Sequence, residues 1–254
     1  MKKFFYTLVI AVAVLASCGL RQSPQQESPK HQSISTHTNA PGDSARYGLA
    51  CDGCTDSILV FLPFSGGDPD TFDIINARHQ RRIYGRPRIG DELAVIVNPE
   101  DPEEVLTVVN MERLKGTWCY MVHPKLRHID NMPSRIRRRM LEHIPDSVRQ
   151  QMMSPREYTL RLKRDHTAMH LGGMRSQSTT DDMSPVEFPR VRHYNEWCLH
   201  NGRLILKADT IAGMSAPGDK PVRDTADILL LARDSLVLQF SDHTQSYYRK
   251  VSTE

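Results

Sequence analysis

Over most of the second half of this chain, hydrophobic and polar positions alternate with a period of two, the pattern of strands with one buried face. In TWCYMV (117–122), Trp118, Tyr120 and Val122 share one face, and Cys119 and Met121 the other. YTLRL (158–162) alternates in the same way, KRDH turns the chain, and TAMHL (167–171) runs back to Gly172-Gly173. The strongest local pattern is HYNEWCLHNGRLILKADT (193–210). Asn201-Gly202 between two alternating runs predicts a type I′ hairpin, because both central positions need positive φ. That turn pairs His200 with Arg203 and Leu199 with Leu204, so Trp197, Leu199, Leu204 and Leu206 fall on one face. Ile228 to Leu231 and LVLQF (236–240) flank Arg233-Asp234 as a further hairpin, and Tyr247 to Val251 reads as a last strand. Seven or eight antiparallel strands suffice to close a barrel with room for a small ligand.

The first half is β-rich but less regular. SILVFL (57–62) closes at Pro63, FSGGDPD is a turn by composition, and TFDIINA (71–77) fits either a strand or a short helix. ELAVIV (92–97) and VLTVVN (105–110) flank a polar, Pro-containing loop. Fewer than about 70 residues bury only a modest core, so a disulfide at Cys51–Cys54 or docking onto the next domain would help this segment. Between the first two strands of the second segment the period changes. Pro133-Ser134 opens a helix with Ile136, Met140, Leu141 and Ile144 at helical spacing, and Pro145-Asp146-Ser147 ends it and starts a shorter one. Arg135, Arg137, Arg138 and Arg139 make the first helix basic, which suits a solvated face or an anionic lipid surface. Such an insert could lid the mouth of a barrel.

The N-terminus adds a destination. MKKFFYTLVIAVAVLASCGL has two lysines, an apolar run from Phe4 to Ala16 and small residues before Cys18. That is the form of a secretory signal peptide, too short for a membrane-spanning helix. Residues 19 to 46 are rich in Ser, Gln, Pro and His and nearly free of large apolar side chains, the composition of a flexible tether. The formal charge of +3 over 254 residues is too small to imply nucleic acid. Apart from Cys18, four cysteines remain. In an oxidising compartment the CxxC of Cys51 and Cys54 reads best as a disulfide pinning the first strand, with a redox role as the alternative. Cys119 and Cys198, each after a Trp, either pair or are buried thiols.

Leu15-Ala16-Ser17-Cys18 resembles a bacterial lipobox. That resemblance implies cleavage before Cys18 (residues 1–17 removed) and lipidation of Cys18. Gly19 at the following position resembles outer-membrane rather than inner-membrane lipoproteins, so a periplasm-facing outer-membrane location is expected. Gly116-Thr117-Trp118 on the first strand of the second segment looks like the Gly-x-Trp of lipocalins. W-x-L-x-N-G-x-L-x-L (197–206), D-S-L-V-L (234–238) and Y-Y-R-K (247–250) resemble bacterial lipocalin-like lipoprotein domains in the same order. The resemblance covers 114–254, with the helical insert as a departure. It implies that Trp118 sits at the closed end of the barrel and that Arg249 crosses its ring. The expected fold is therefore all-β. A lipidated tether (18–46) leads to a small N-terminal β-barrel-like domain of OB or SH3 type (47–113). An up-and-down lipocalin-like barrel with a short helical insertion (114–254) follows.

Candidate chemistry changes this little. No nucleophile elbow, phosphate loop, zinc-helix motif or dinucleotide fingerprint is present. Asp68, Asp70 and Asp73 lack the spacing of a calcium loop, and no metal or cofactor is expected. His166 and His170 read as exposed strand histidines, and the Ser of GMSAPG (213–218) as an interstrand loop residue. The expected function is non-catalytic binding of a small apolar or amphipathic ligand by a membrane-anchored protein. Tyr120, Tyr158, Leu160, Leu162, Trp197, Leu199, Leu204, Leu206, Leu236 and Leu238 are the candidate lining. The rival reading is a packed barrel serving as a structural component of the envelope, with an unidentified protein partner.

Overall fold

The computed structural model describes residues 41–127, 131–172, 186–189, 191–208 and 222–250. The leader, Cys18, the tether up to residue 40 and the GMSAPG segment lie outside them. The described residues form one compact unit built on a six-stranded and an eight-stranded sheet, with a small two-stranded one beside them.

The first sheet begins at β1 (Arg46–Ala50), which pairs antiparallel with β2 (Ile58–Pro63) on one side and β5 (Glu92–Val97) on the other. β2 continues to β3 (Asp70–Asp73), and β5 to β6 (Val105–Asn110). A parallel bridge between Asp73 and Glu104 then brings β3 to the start of β6. Five strands thus meet in the cyclic order 1-2-3-6-5, the OB arrangement rather than the SH3 one. The two-strand fragment β4 (Ile83–Tyr84) adds in parallel to β6. The ambiguous TFDIINA divides: its first residues belong to β3, and α1 (Ile75–His79) follows, burying only Ala77. Leu59, Phe61, Phe72, Leu93, Val95 and Val108 fill the inside.

All four described cysteines that were candidates for pairing are free thiols, which corrects the expected Cys51–Cys54 disulfide. Cys54 Sγ turns onto the chain instead. It lies 3.2 Å from the Cys51 carbonyl and accepts the Val60 N–H at 3.4 Å. The small barrel is held by docking. α2 (Met111–Leu114) leaves β6 with buried Asn110 as its cap, the Asn110 side chain accepting from Arg113 N at 3.0 Å. Tyr47, Ala94, Val109, Met111 and Leu114 join the same hydrophobic cluster as Trp118, Leu160, Leu204 and Leu236 of the second sheet.

The second sheet has eight strands: β7 (Gly116–Val122), β9 (Arg156–Leu162), β10 (Ala168–Leu171), β12 (Glu196–His200), β13 (Arg203–Ala208), β14 (Val222–Leu231), β15 (Ser235–Gln239) and β16 (Thr244–Arg249). Each pairs antiparallel with the next, and β16 returns to β7 through Arg249 opposite Trp118. β10 meets β12 only at the bridge Thr167–Glu196, so the up-and-down barrel is nearly closed. The Asn-Gly hairpin has the predicted register, His200 opposite Arg203, with φ of 50° at Asn201 and 74° at Gly202. The insert after β7 comprises β8 (Lys125–Leu126), α3 (Ser134–Glu142) and α4 (Asp146–Met152). β8 pairs with β11 (Val186–Glu187), from the β10–β12 connection at the same end of the barrel.

Candidate functional site

The two ends of the barrel have different chemistry. At the end next to α2, Trp118 is fully buried and donates from Nε1 to the Leu114 carbonyl at 2.8 Å. The Arg249 guanidinium lies 4.1 Å from the indole centroid. It donates to the carbonyls of Arg233 and Lys115, both at 2.9 Å, and to that of Arg113. Gly116 has φ of 137°, and a Cβ there would run into Arg249 Nη1. The Gly-x-Trp thus provides a strained backbone that only glycine adopts easily and an indole against which a cation stacks. Above it, Leu160, Leu162, Trp197, Leu199, Leu204, Leu206, Leu236 and Leu238 are at most 4% exposed and pack on one another. Those eight candidate lining residues form the filled lower barrel and do not border the cavity, a correction to the expected pocket. Inward positions near the floor converge, and large aliphatic side chains there leave no space.

At the other end is a cavity of about 1560 Å³, bordered by Tyr120 and Tyr158 of the candidate set. Its wall also holds His170, Arg192, Tyr194, Asp224 and Tyr247, none of them among the candidates. Tyr120 packs edge-on against Tyr158 (centroids 5.6 Å apart) and Tyr247 (5.2 Å). Its hydroxyl is 3.0 Å from His170 Nε2. The His170 ring stacks on Tyr194 at 5.5 Å with 3° between planes. Tyr194 donates to Asp224 at 2.6 Å, and Arg192 pairs with the same carboxylate. Tyr158 donates to the Pro189 carbonyl at 2.7 Å. The volume exceeds the roughly 300–1000 Å³ of ordinary small-molecule sites, and the space reaches past Arg203 and Asp227, a half-exposed ion pair.

His170 is 9% exposed, so the expectation of an exposed strand histidine is corrected. Burial pushes its pKa down to about 4, with His193 adding to the effect and the Arg192 backbone opposing it. The ring is therefore neutral near pH 7, with one nitrogen to donate and one to accept. Burial likewise raises Tyr120 to about 12, and raises Tyr194 and Tyr247 further, so all three keep their protons. Aromatic faces, neutral donors and acceptors and the Arg192–Asp224 and Arg203–Asp227 ion pairs, with Lys125, Arg223 and Asp242 also on the lining, suit the grip of a molecule with an apolar body and a polar head.

The alternation carried part of this set. His170 is opposite Leu160 and shares its inward face, and Asp224 is opposite Leu206. Tyr247 lies two residues before Arg249 on the same face. Tyr194 and Arg192 precede β12, where no period marks them. Among the described residues no cluster of three or more metal-ligating side chains occurs. Comparison with known families, curated proteins and solved structures finds no match to this chain.

Proposed function

We propose that this chain is a non-catalytic binding protein of the bacterial envelope, tethered to the outer membrane through a lipidated Cys18 and facing the periplasm. Its mouth takes a small amphipathic ligand. The observation that carries this reading is the aromatic cavity set over a packed floor. Tyr120, Tyr158 and Tyr247 offer apolar faces to the ligand's body, and Arg192, Tyr194, His170 and Asp224 sit where a polar head would enter. The lipobox-like Leu15-Ala16-Ser17-Cys18 and the basic, then apolar, leader support the anchor.

Native mass spectrometry of the purified full chain tests the reading. A co-purified small molecule is expected, and Tyr120→Ala with Tyr247→Ala should lose it at least tenfold while the folded mass distribution is kept. A protein that carries no ligand and binds none from a lipid extract would sink the proposal. The solid lower barrel favours one rival, a structural component whose barrel serves as a rigid body, and that outcome would leave it standing. For the anchor, Cys18→Ala should abolish incorporation of labelled fatty acid.

A further inference from the structure

We propose that the helical insert is a second membrane contact: α3 and α4 lie on the surface of an anionic phospholipid bilayer and hold the barrel mouth against it. The inference rests on the helices themselves and is independent of the ligand reading.

Neither helix buries a single residue, and neither has a side-chain cap. Isolated helices shorter than about 12 residues are marginal in water, so nine-residue and seven-residue helices without a buried face lack the usual source of helical stability. Ile136 is 56% exposed, Leu141 43%, Met140 39%, and Met153 just past α4 72%. At helical spacing Arg135, Arg138 and Arg139 gather on the face opposite Ile136 and Met140. No acidic residue stands in the first turn of α3. Cations there oppose the helix dipole, and an anionic surface relieves that conflict. Among the described residues none of Arg135, Arg137, Arg138 and Arg139 has an acidic partner. Arg149 pairs with Asp146 at 3.5 Å.

With Arg135, Arg138 and Arg139 on one side and exposed Ile136 and Met140 on the other, and with Arg137, which falls beside Met140, long enough to snorkel, α3 matches a bilayer interface, where headgroups meet acyl chains. A nucleic acid or an acidic protein surface would satisfy the arginines and leave Ile136, Met140 and Leu141 in water. The placement adds to this. His123 Nδ1 lies 3.3 Å from the Met152 carbonyl at the end of α4. His123, just before the insert, and Lys125, in its first strand β8, border the cavity. A docked insert therefore puts the cavity's opening near lipid.

Hydrogen exchange of the full chain, with and without vesicles, reads the insert separately from the anchor. On phosphatidylglycerol vesicles, amides 134–152 should slow at least fivefold, and on pure phosphatidylcholine they should not. The variant Arg135→Glu with Arg138→Glu and Arg139→Glu should lose that protection, as should wild type in 0.5 M salt. Its melting temperature should stay unchanged, because none of these side chains is buried. Equal protection on both lipids, or protection that survives the triple substitution, overturns the proposal. So does protection by heparin or an acidic peptide in place of vesicles.

Discussion

At the residue scale, single side chains set both ends of the barrel. The guanidinium of Arg249 satisfies two carbonyls at the turn from α2 into β7 and a third, that of Arg233, in the turn between β14 and β15, and it covers the Trp118 ring. Gly116→Ala places a methyl against that guanidinium at a φ disfavoured for L-residues. It should cost about 2–4 kcal/mol, measured as a loss of melting temperature with the Trp118 emission shifted to the red. At the mouth, His170 couples stability to pH. The unfolded chain binds a proton near the ordinary 6.5, but the buried ring resists it until about pH 4. Stability should therefore fall as pH drops from about 6.5 to 4, by up to on the order of 3 kcal/mol from this group. His170→Gln should flatten that part of the profile in thermal melts, and an unchanged slope would show that the ring is not held neutral by burial.

At the element scale, the Asn-Gly hairpin does more than join β12 and β13. Its turn reaches the start of the first sheet. Asn201 Oδ1 accepts from Ser44 N at 2.8 Å and from Ser44 Oγ at 2.7 Å, and Asp43 Oδ1 accepts from Asn201 N at 2.9 Å. Tyr47 donates to the Leu199 carbonyl at 3.1 Å. Asp43 to Arg46, read as tether from their composition, thereby belong to the fold, and Ala45 is fully buried. Asn201→Ala keeps the hairpin's strands but loses positive-φ tolerance and the Ser44 bonds. A destabilisation of about 1–3 kcal/mol is expected. A double-mutant cycle with Ser44→Ala should show coupling of about 0.5 kcal/mol or more. Additive losses would mean that the turn and the first sheet do not communicate.

At the scale of the whole molecule, the two sheets share one core. Leu114 and Met111 stand between them, and Lys115, nearly buried, pairs with Glu92 of the first sheet and with Glu112 at 3.2 Å. A barrel of this length buries a modest interior and is marginal by itself, and its thiols stay free. The described unit should therefore unfold in one calorimetric transition. Leu114→Ala should lower it by roughly 2–4 kcal/mol, with the same midpoint for Trp118 fluorescence and for amide exchange in β2. Two midpoints would mean that each sheet has an independent core.

Local order was written in the sequence. Period-two alternation located β7, β9, β10, β12, β13, β15, β16 and the end of β14, though not β8, β11 or the first six residues of β14, and Asn201-Gly202 set a register, because such features depend on residues a few positions apart. Even the OB or SH3 character of the first half was legible from strand spacing, though not the choice between them. That choice hung on Asp73 meeting Glu104, a contact across 31 positions that no local pattern encodes. The cavity has the same origin. Alternation assigns a side chain to the inside but not to a height within the barrel, so Leu206 and Asp224 look alike in pattern. Only the stagger of eight strands decides which inward residues crowd the floor and which line the open end. The burial of His170 and the company of Tyr194, Asp224 and Arg192 are consequences of that closure.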